Sequence, residues 1–284
     1  MGGASIVVLG DSFSVANLWQ SVLSDASGRT VKSFHYDKNC TDNWIRWAVS
    51  QATTELVLLE VVERSLVWRF SNLASCPDSK VTSVEVGQGV YRNTRTSWPP
   101  TLDMTYLLTT AVNTLTGNFS NQSISNKYGV VNVRLRSGCA RFSNRKSENL
   151  LYLADDDFKF EWSERHIQNA VANIRRVQLE VEKSGKQFML LVVPDKSSVY
   201  RSCMLTGDLN QTSSLTQKMF VASGINWIDL QTVMGEHIGK VVDLYDPNNT
   251  HWSENGYILA GNTIAERVSD LTRSQNRTKL AGVN

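Results

Sequence analysis

Five short runs along the chain are apolar at consecutive positions and rich in β-branched residues: Ser5–Leu9, Val31–His35, Glu55–Val62, Phe188–Val193 and Ile225–Leu230. Runs of this length, followed by turn or cap signals, read as strands buried on both faces of a parallel sheet. Between and after them the apolar positions switch to a helical period. This predicts helices over Val15–Ala26, Trp44–Ala52, Glu164–Lys183, Leu215–Ala222 and Glu254–Leu271. In the third of these, Ile167, Val171, Ile174, Val177 and Val181 form one apolar stripe, with Ser163 at the N-cap and Gly185 beyond the end. Strands alternating with helices predict an α/β sandwich around a central parallel sheet, with the working site beyond the carboxyl ends of its strands.

The alternation lapses between about Ser65 and Glu161. The β-like runs there, Val81–Val86, Val130–Leu135 and Leu150–Leu153, are joined by polar Ser/Thr/Asn-rich segments. We read residues 65–161 as a β-rich insertion that decorates the sheet of one domain spanning 1–284. No internal repeat is visible.

Composition narrows the class. Of 284 residues, 41% are apolar and 20% charged, which excludes a disordered tail, a collagen and a disulfide-knotted miniprotein. A chain this long buries roughly 75% of its unfolded surface. Lys and Arg number 29 against 27 Asp and Glu, a net +2 that gives no reason to expect a nucleic-acid partner. The charge is unevenly spread. Between Val86 and Ser147 stand eight basic residues, Arg92, Arg95, Lys127, Arg134, Arg136, Arg141, Arg145 and Lys146, against one acid, Asp103. They make either a solvated face offset by the acidic run Asp155–Asp157 or a surface that gathers a polyanion. Nearby Tyr91, Trp98 and Tyr128 suit either sugar stacking or a core.

No stretch approaches the roughly 20 apolar residues of a membrane span. The opening MGGASIVVLGDSF has no basic leader region and runs straight into a strand, so it is not a signal peptide. An exported protein would be represented here without its natural N-terminus. Cys40, Cys76, Cys139 and Cys203 contain no CxxC pair, which disfavours zinc and thioredoxin-type chemistry. Their even number permits two disulfides in an oxidising compartment and is equally consistent with free thiols.

Two segments carry chemistry. Gly10-Asp11-Ser12-Phe13-Ser14 directly follows the first strand and precedes a helix. A serine at that junction is presented at the sheet's carboxyl edge, beside free backbone N–H groups and the positive end of a helix, which suits a nucleophile whose attack creates an oxyanion. The plain alternative makes Ser12 a helix cap. Near the other end, Asp243-Leu-Tyr-Asp246-Pro-Asn248-Asn249-Thr250-His251-Trp252-Ser253-Glu254 lies in a loop before the last helix. A serine nucleophile needs a base poised near neutral pH, and His251 is the best placed of four histidines. His35 ends a strand, His166 falls in a helix and His237 in a short polar turn.

A serine after the first strand and a histidine before the last helix resemble the SGNH (GDSL) hydrolase superfamily. Within it the chain looks most like the domain of the alginate and related bacterial polysaccharide O-acetyltransferases. That narrower resemblance rests on Glu60-Val-Val-Glu63-Arg64-Ser65, on Val193-Pro194-Asp195-Lys196 with Tyr200, on Thr250-His251-Trp252, and on the run from Asn149 to Asp156. It implies a flavodoxin-like three-layer sandwich and acyl transfer, with Ser12 as nucleophile and His251 as general base. Arg64 and Lys196, which follow strands whose carboxyl ends should face the site, and Tyr200 would serve the substrate or the oxyanion; the plain alternative is a structural Glu63–Arg64 ion pair and a solvated loop charge at Lys196. It further implies an anionic polysaccharide acceptor, a membrane-bound O-acyltransferase supplying acetyl, a periplasmic or envelope location, and no cofactor or metal. No CoA or nucleotide loop is recognisable, and the GQG at Gly87–Gly89 is too short to count. The same residues would serve an O-acetylesterase.

The chain departs from that family in three respects. The alginate enzymes carry the His segment before the Ser segment, so the order here is permuted relative to them. The Gly-x-Asn-Asp block that supplies an oxyanion asparagine in many esterases is replaced by Glu60–Arg64. Asn248 and Asn249 occupy the positions where the histidine-orienting acid normally stands. Asn249 can orient the imidazole through its carbonyl, as in Cys-His-Asn sites. Asp246 or Asp243 could replace it, a backbone carbonyl could leave a Ser-His dyad, or the third member is lost and the chain is a silent glycan-binding module.

Overall fold

The computed structural model describes residues 4–15, 18–36, 40–71, 129–205 and 212–281. The central sheet is parallel and contains β1 (Ile6–Gly10), β2 (Val31–His35), β3 (Leu56–Val62), β6 (Gln187–Val193) and β7 (Trp227–Ile228), in the order β2-β1-β3-β6-β7. An antiparallel hairpin, β4 (Val130–Arg134) with β5 (Asn149–Leu153), stands apart from it. Strand order reverses between β1 and β3, so the switch-point crevice of the flavodoxin-like order opens at the carboxyl ends of those two strands.

Strand periodicity sorts the core into two layers. Ile6, Val8, Leu56, Leu58, Met189 and Leu191 face α2 (Leu18–Ser27), α8 (Leu230–His237) and α9 (Glu254–Ala281). Val7, Leu9, Val57, Leu59, Phe188 and Leu190 face α3 (Thr41–Ser50), α4 (Leu66–Ser71), α5 (Glu164–Lys183) and α7 (Thr212–Ala222). Both faces are covered, which is why these strands read as continuous apolar runs. The remaining helices, α1 (Ser12–Val15) and α6 (Lys196–Val199), are single turns at the sheet's carboxyl edge.

Helix α5 has the bounds its apolar stripe predicts. The Ser163 hydroxyl accepts from His166 N–H at 3.2 Å, and Gly185 takes φ 77° just past the end. The predicted strand Ile225–Leu230 is only Trp227–Ile228 in the structure. Asp229 ends it by accepting from the Thr232 amide at 3.0 Å and hydroxyl at 2.7 Å, so Leu230 begins α8. His237 accordingly closes a helix rather than a turn, with Nδ1 bonded to the Val233 carbonyl at 2.7 Å.

The start of the expected insertion belongs to the sandwich, because Leu66, Val67 and Phe70 of α4 are buried in the second core layer. The run Val81–Val86, the residues Tyr91, Arg92, Arg95, Trp98, Lys127 and Tyr128, and Cys76 lie outside the described residues. Cys139 after β4 is disulfide-bonded to Cys203 after α6, 64 residues away. A loop of that size constrains the unfolded chain by on the order of 4 kcal/mol. Cys40 is disulfide-bonded as well.

Helix α9 lies close on α2 because Gly261 has no side chain. A Cβ there would stand 2.6 Å from Val22 Cβ and 2.9 Å from the Trp19 carbonyl oxygen. We predict that Gly261→Ala destabilises the fold by about 1–3 kcal/mol in urea unfolding, since overpacking forces the two helices apart. An unchanged midpoint would show that α9 yields without cost.

Candidate functional site

The site is built where the apolar strands end. Gly10 ends β1, and Ser12 opens α1 exposed at the crevice. Asp11 fixes this turn. Its Oδ1 accepts from Phe13 N–H at 3.0 Å, while Oδ2 accepts from Val62 N–H at 3.0 Å and from the Tyr36 hydroxyl at 3.4 Å. One carboxylate thus ties the serine turn to the end of β3 and the residue after β2.

Below the turn lies Glu60, fully buried in β3. Its Oε2 accepts from the Asp11 amide at 2.8 Å and the Ser14 hydroxyl at 2.7 Å. Burial first, and then the charge of Asp11, raise the Glu60 pKa well above the usual carboxylate value. Gly10 is required here, because a Cβ would stand 2.3 Å from Glu60 Oε2 and 2.4 Å from Ser14 Oγ.

The second half of the site comes from the loop before α9. An isolated antiparallel bridge between Tyr245 and Trp252 closes the base of this loop, and the Asp246 amide donates to the His251 carbonyl at 3.1 Å. His251 Nε2 lies 3.1 Å from Ser12 Oγ, and its Nδ1 lies 3.0 Å from Asn249 Oδ1. Asn249 Oδ1 also faces the amides of Thr250, at 2.7 Å, and His251, at 3.2 Å. Two backbone N–H donors require an acceptor at that atom, so the oxygen rather than the amide nitrogen meets the ring. Nδ1 therefore carries the proton, and the Nε2 lone pair is aimed at the serine hydroxyl. Of the orienters left open by the sequence, Asn249 is the one that meets the ring. Asp246 instead caps the loop, accepting from Asn248 N–H at 3.0 Å, and Asp243 accepts from Ser143 N–H at 3.0 Å.

The His251 ring packs 4.6 Å from the Phe13 ring, which in turn meets Trp252 at 5.1 Å. Burial first, and then the Arg64 charge, lower the His251 pKa below 6.5, against the opposing pull of Asp11 and Asp246.

The three residues assigned to substrate or oxyanion have different settings. The Arg64 side chain is 15% exposed and pairs with Asp195 at 2.8 Å and Asp156 at 3.3 Å, rather than with Glu63. Lys196 is neither a solvated loop charge nor open to a substrate. It is fully buried, and its Nζ donates to the carbonyls of Asp246, Pro247 and Asn249. Burial pushes its pKa down to about 7, although Asp246, Asp156 and Asp243 favour the charged form. Tyr200 is 2% exposed and packs against Phe142 and Tyr245, so its hydroxyl is withdrawn from the crevice, and burial raises its pKa.

Sequence reading missed a buried charge network behind Arg64. Lys159 Nζ reaches Asp195 at 2.9 Å and Glu63 at 3.5 Å, and donates to the Ser197 and Ser198 hydroxyls. Asp156, expected in a solvated acidic run, is fully buried and accepts from Ser197 N–H. The available signal was the placement of charges at the ends of apolar strands, as in LVLLEVV followed by Glu-Arg.

A Ser–His–Asn relay at a switch-point crevice, backed by a buried carboxyl, is a geometry for acyl transfer. Residues 148–282 match the SGNH hydrolase-like domain of acetyltransferase AlgX. The match spans β5 to α9 and so takes in Lys196, Asn249 and His251, while Ser12 and Arg64 lie in the half before it. Together with the five-stranded parallel sheet it gives an α/β SGNH-like fold. No curated protein and no solved structure matches the chain significantly.

Glu60 makes stability depend on pH. A carboxyl whose folded pKa is raised keeps a proton that the unfolded chain releases above about 4.5, so stability falls as pH rises from there towards the folded value. Glu60→Gln keeps an acceptor for Asp11 and Ser14 and cannot ionise. We expect its stability relative to wild type to increase from acidic to mildly alkaline pH in urea unfolding. Parallel pH curves would mean that Glu60 is ionised in the native protein.

Proposed function

We propose that the protein is an O-acetyltransferase that carries acetyl on Ser12 and delivers it to hydroxyls of an envelope or extracellular polysaccharide. The observation that carries this reading is the continuous relay from Asn249 Oδ1 through the His251 ring to Ser12 Oγ, at 3.0 and 3.1 Å. The similarity of residues 148–282 to the acetyltransferase AlgX domain supports acetyl as the group moved.

In the first half-reaction, Ser12 Oγ attacks the carbonyl carbon of an acetyl donor and its proton passes to His251 Nε2. Collapse of the tetrahedral intermediate breaks the bond to the leaving group, which takes that proton from His251. In the second, a sugar hydroxyl attacks the acyl-enzyme and gives its proton to Nε2. Collapse releases the acetylated sugar and returns the proton to Ser12 Oγ. Asn249 holds the Nδ1–H tautomer throughout. Because its carbonyl is neutral, it leaves the imidazole pKa low, in keeping with the depressed value of His251.

The acceptor is an anionic glycan. Arg134, Arg136, Arg141, Arg145 and Lys146 are exposed on the β4–β5 hairpin and its connection. That connection lies against the histidine loop, with Asp243 N–H donating to the Arg141 carbonyl at 2.9 Å. The disulfide-bonded state of Cys40, Cys139 and Cys203 supports an oxidising, periplasmic or envelope location. In that compartment acetyl would come from a membrane-bound O-acyltransferase. No described helix is itself long and apolar enough to cross a membrane. One observation favours an O-acetylesterase as the second reading: Ser12 is exposed, so water has access to the acyl-enzyme.

The test is p-nitrophenyl acetate turnover by wild type and Ser12→Ala, with and without an anionic oligosaccharide. We expect Ser12→Ala to lower turnover by on the order of 10⁴-fold or more, and the oligosaccharide to accelerate the wild type and emerge acetylated. Serine-dependent release indifferent to acceptor would establish the esterase, and no difference between the proteins would leave a glycan-binding module. The pH profile separates the roles further. The acid limb of kcat/KM should fall below pH 6.5. Asn249→Asp should move that limb upward, because a carboxylate stabilises the imidazolium. An unmoved limb would exclude Asn249 as the orienter.

A further inference from the structure

The histidine loop is polar and has little apolar surface to hold it. Of residues 246–251 none is buried, yet Asn249 and His251 are held within hydrogen-bond reach of each other and of Ser12. Three carbonyl oxygens of this loop converge on one point: those of Asp246, Pro247 and Asn249 lie 2.7, 3.0 and 3.2 Å from Lys196 Nζ. Carbonyl dipoles aimed at a common centre repel one another unless a cation with several donors occupies it. An ammonium, the form Lys196 takes below its pKa of about 7, offers three N–H bonds and no acceptor, so the three carbonyls use its whole capacity.

The other end of this tether is rigid. Lys196 is the first residue after the β6 turn, preceded by Asp195, which binds Arg64 and Lys159. The lysine stem is fully buried, and the ammonium passes 5.7 Å from the Phe142 ring. A buried lysine is costly unless its hydrogen bonds are complete, and here their partners all come from the segment that carries the relay.

Resting on the acyl-transfer reading for its consequence, we infer that Lys196 is a positioning residue: its ammonium gathers the carbonyls of Asp246, Pro247 and Asn249 and thereby sets the Asn249–His251 pair in register with Ser12. It touches neither substrate nor reacting atoms. The loop backbone is its ligand, and the tautomer and reach of His251 are what it controls.

The test uses Lys196→Met, which keeps the length and apolar stem of the side chain and removes all three donors. We expect a folded protein by circular dichroism whose p-nitrophenyl acetate kcat falls by about 10²-fold, the cost of a misplacement of roughly 1 Å. KM should stay within about twofold. In ¹⁵N spectra of the imidazoles, His251 should change from the single Nδ1–H tautomer to a mixture. Adding methylammonium to Lys196→Ala should restore both kcat and the tautomer. A Lys196→Met protein with lower thermal stability but unchanged kcat and tautomer would overturn the inference, because the lysine would then be a structural residue only.

If the variants do not fold, the wild type still decides. Slow-exchanging Lys196 Nζ–H protons, with couplings to loop carbonyls, are expected, and a freely exchanging ammonium would overturn the proposal. The imidazole readout needs no turnover. A tautomer that depends on Lys196 in a protein indifferent to Ser12→Ala would therefore sink the acyl-transfer reading and leave the tether standing.

Discussion

A parallel sheet buried on both faces leaves its polar chemistry one place to go, the row of strand ends where the backbone turns away, and this chain concentrates it there. Asp11 and Ser12 follow β1, Glu60 lies within β3, Glu63 and Arg64 follow it, and Asp195 and Lys196 follow β6. Most of these groups are buried, so each needs a partner, and the partners come from neighbouring strand ends, from residues 154–161 and, for Lys196, from the histidine loop. The result is a single polar floor: Glu60 under the serine turn, Asp11 between β1 and β3, and Asp195 shared between Arg64 and Lys159. Deleting one member would strand the others in a low-dielectric edge, where an unpaired charge costs several kcal/mol.

The histidine loop lies outside this floor, and the chain attaches it by different means. A backbone bridge and the Tyr257 N–H to Ser253 carbonyl bond fix its base, while the Lys196 ammonium fixes its tip. The asparagine beside His251 is compatible with the proposed acyl transfer for a structural reason. In a triad the loss of the carboxylate matters partly because an amide can present the wrong group and select the wrong tautomer. Here the amides of Thr250 and His251 hold Asn249 Oδ1 towards the ring and remove that ambiguity. What remains is the absence of a negative charge behind the imidazolium. The half-buried setting of His251 and the charge of Arg64 point the same way, towards a ring held in its neutral form.

The exposed arginines of the β4–β5 connection and the histidine loop share an edge through Asp243, whose backbone donates to Arg141 and whose carboxylate accepts from Ser143. Asp243 adopts φ 51°, a left-handed conformation that is uncommon for a residue other than glycine. The Cys139–Cys203 disulfide holds the same connection to the segment after α6. The arginine-bearing connection and the histidine loop are thus braced from one side, an arrangement that suits the proposed transfer of a small acyl group to a large acceptor.

Sequence alone determined the alternation of strands and helices, the near-complete bounds of β2 and α5, and the pairing of Ser12 with His251 across the length of the chain. Hydrophobic period and capping are properties of consecutive residues, and the chemical types of a nucleophile and a base are visible wherever they stand. Tertiary structure alone decided which polar groups are used up. Lys196 and Tyr200 looked available because they follow a strand whose end faces the crevice, yet one is spent on three loop carbonyls and the other is packed in aromatic rings. Arg64 looked like a partner of Glu63 but binds acids 92 and 131 residues away. Even the choice of Asn249 over Asp246 as orienter depended on which way an amide faces. Burial and hydrogen-bond satisfaction are set by neighbours brought in from distant segments, and no local pattern records who those neighbours will be.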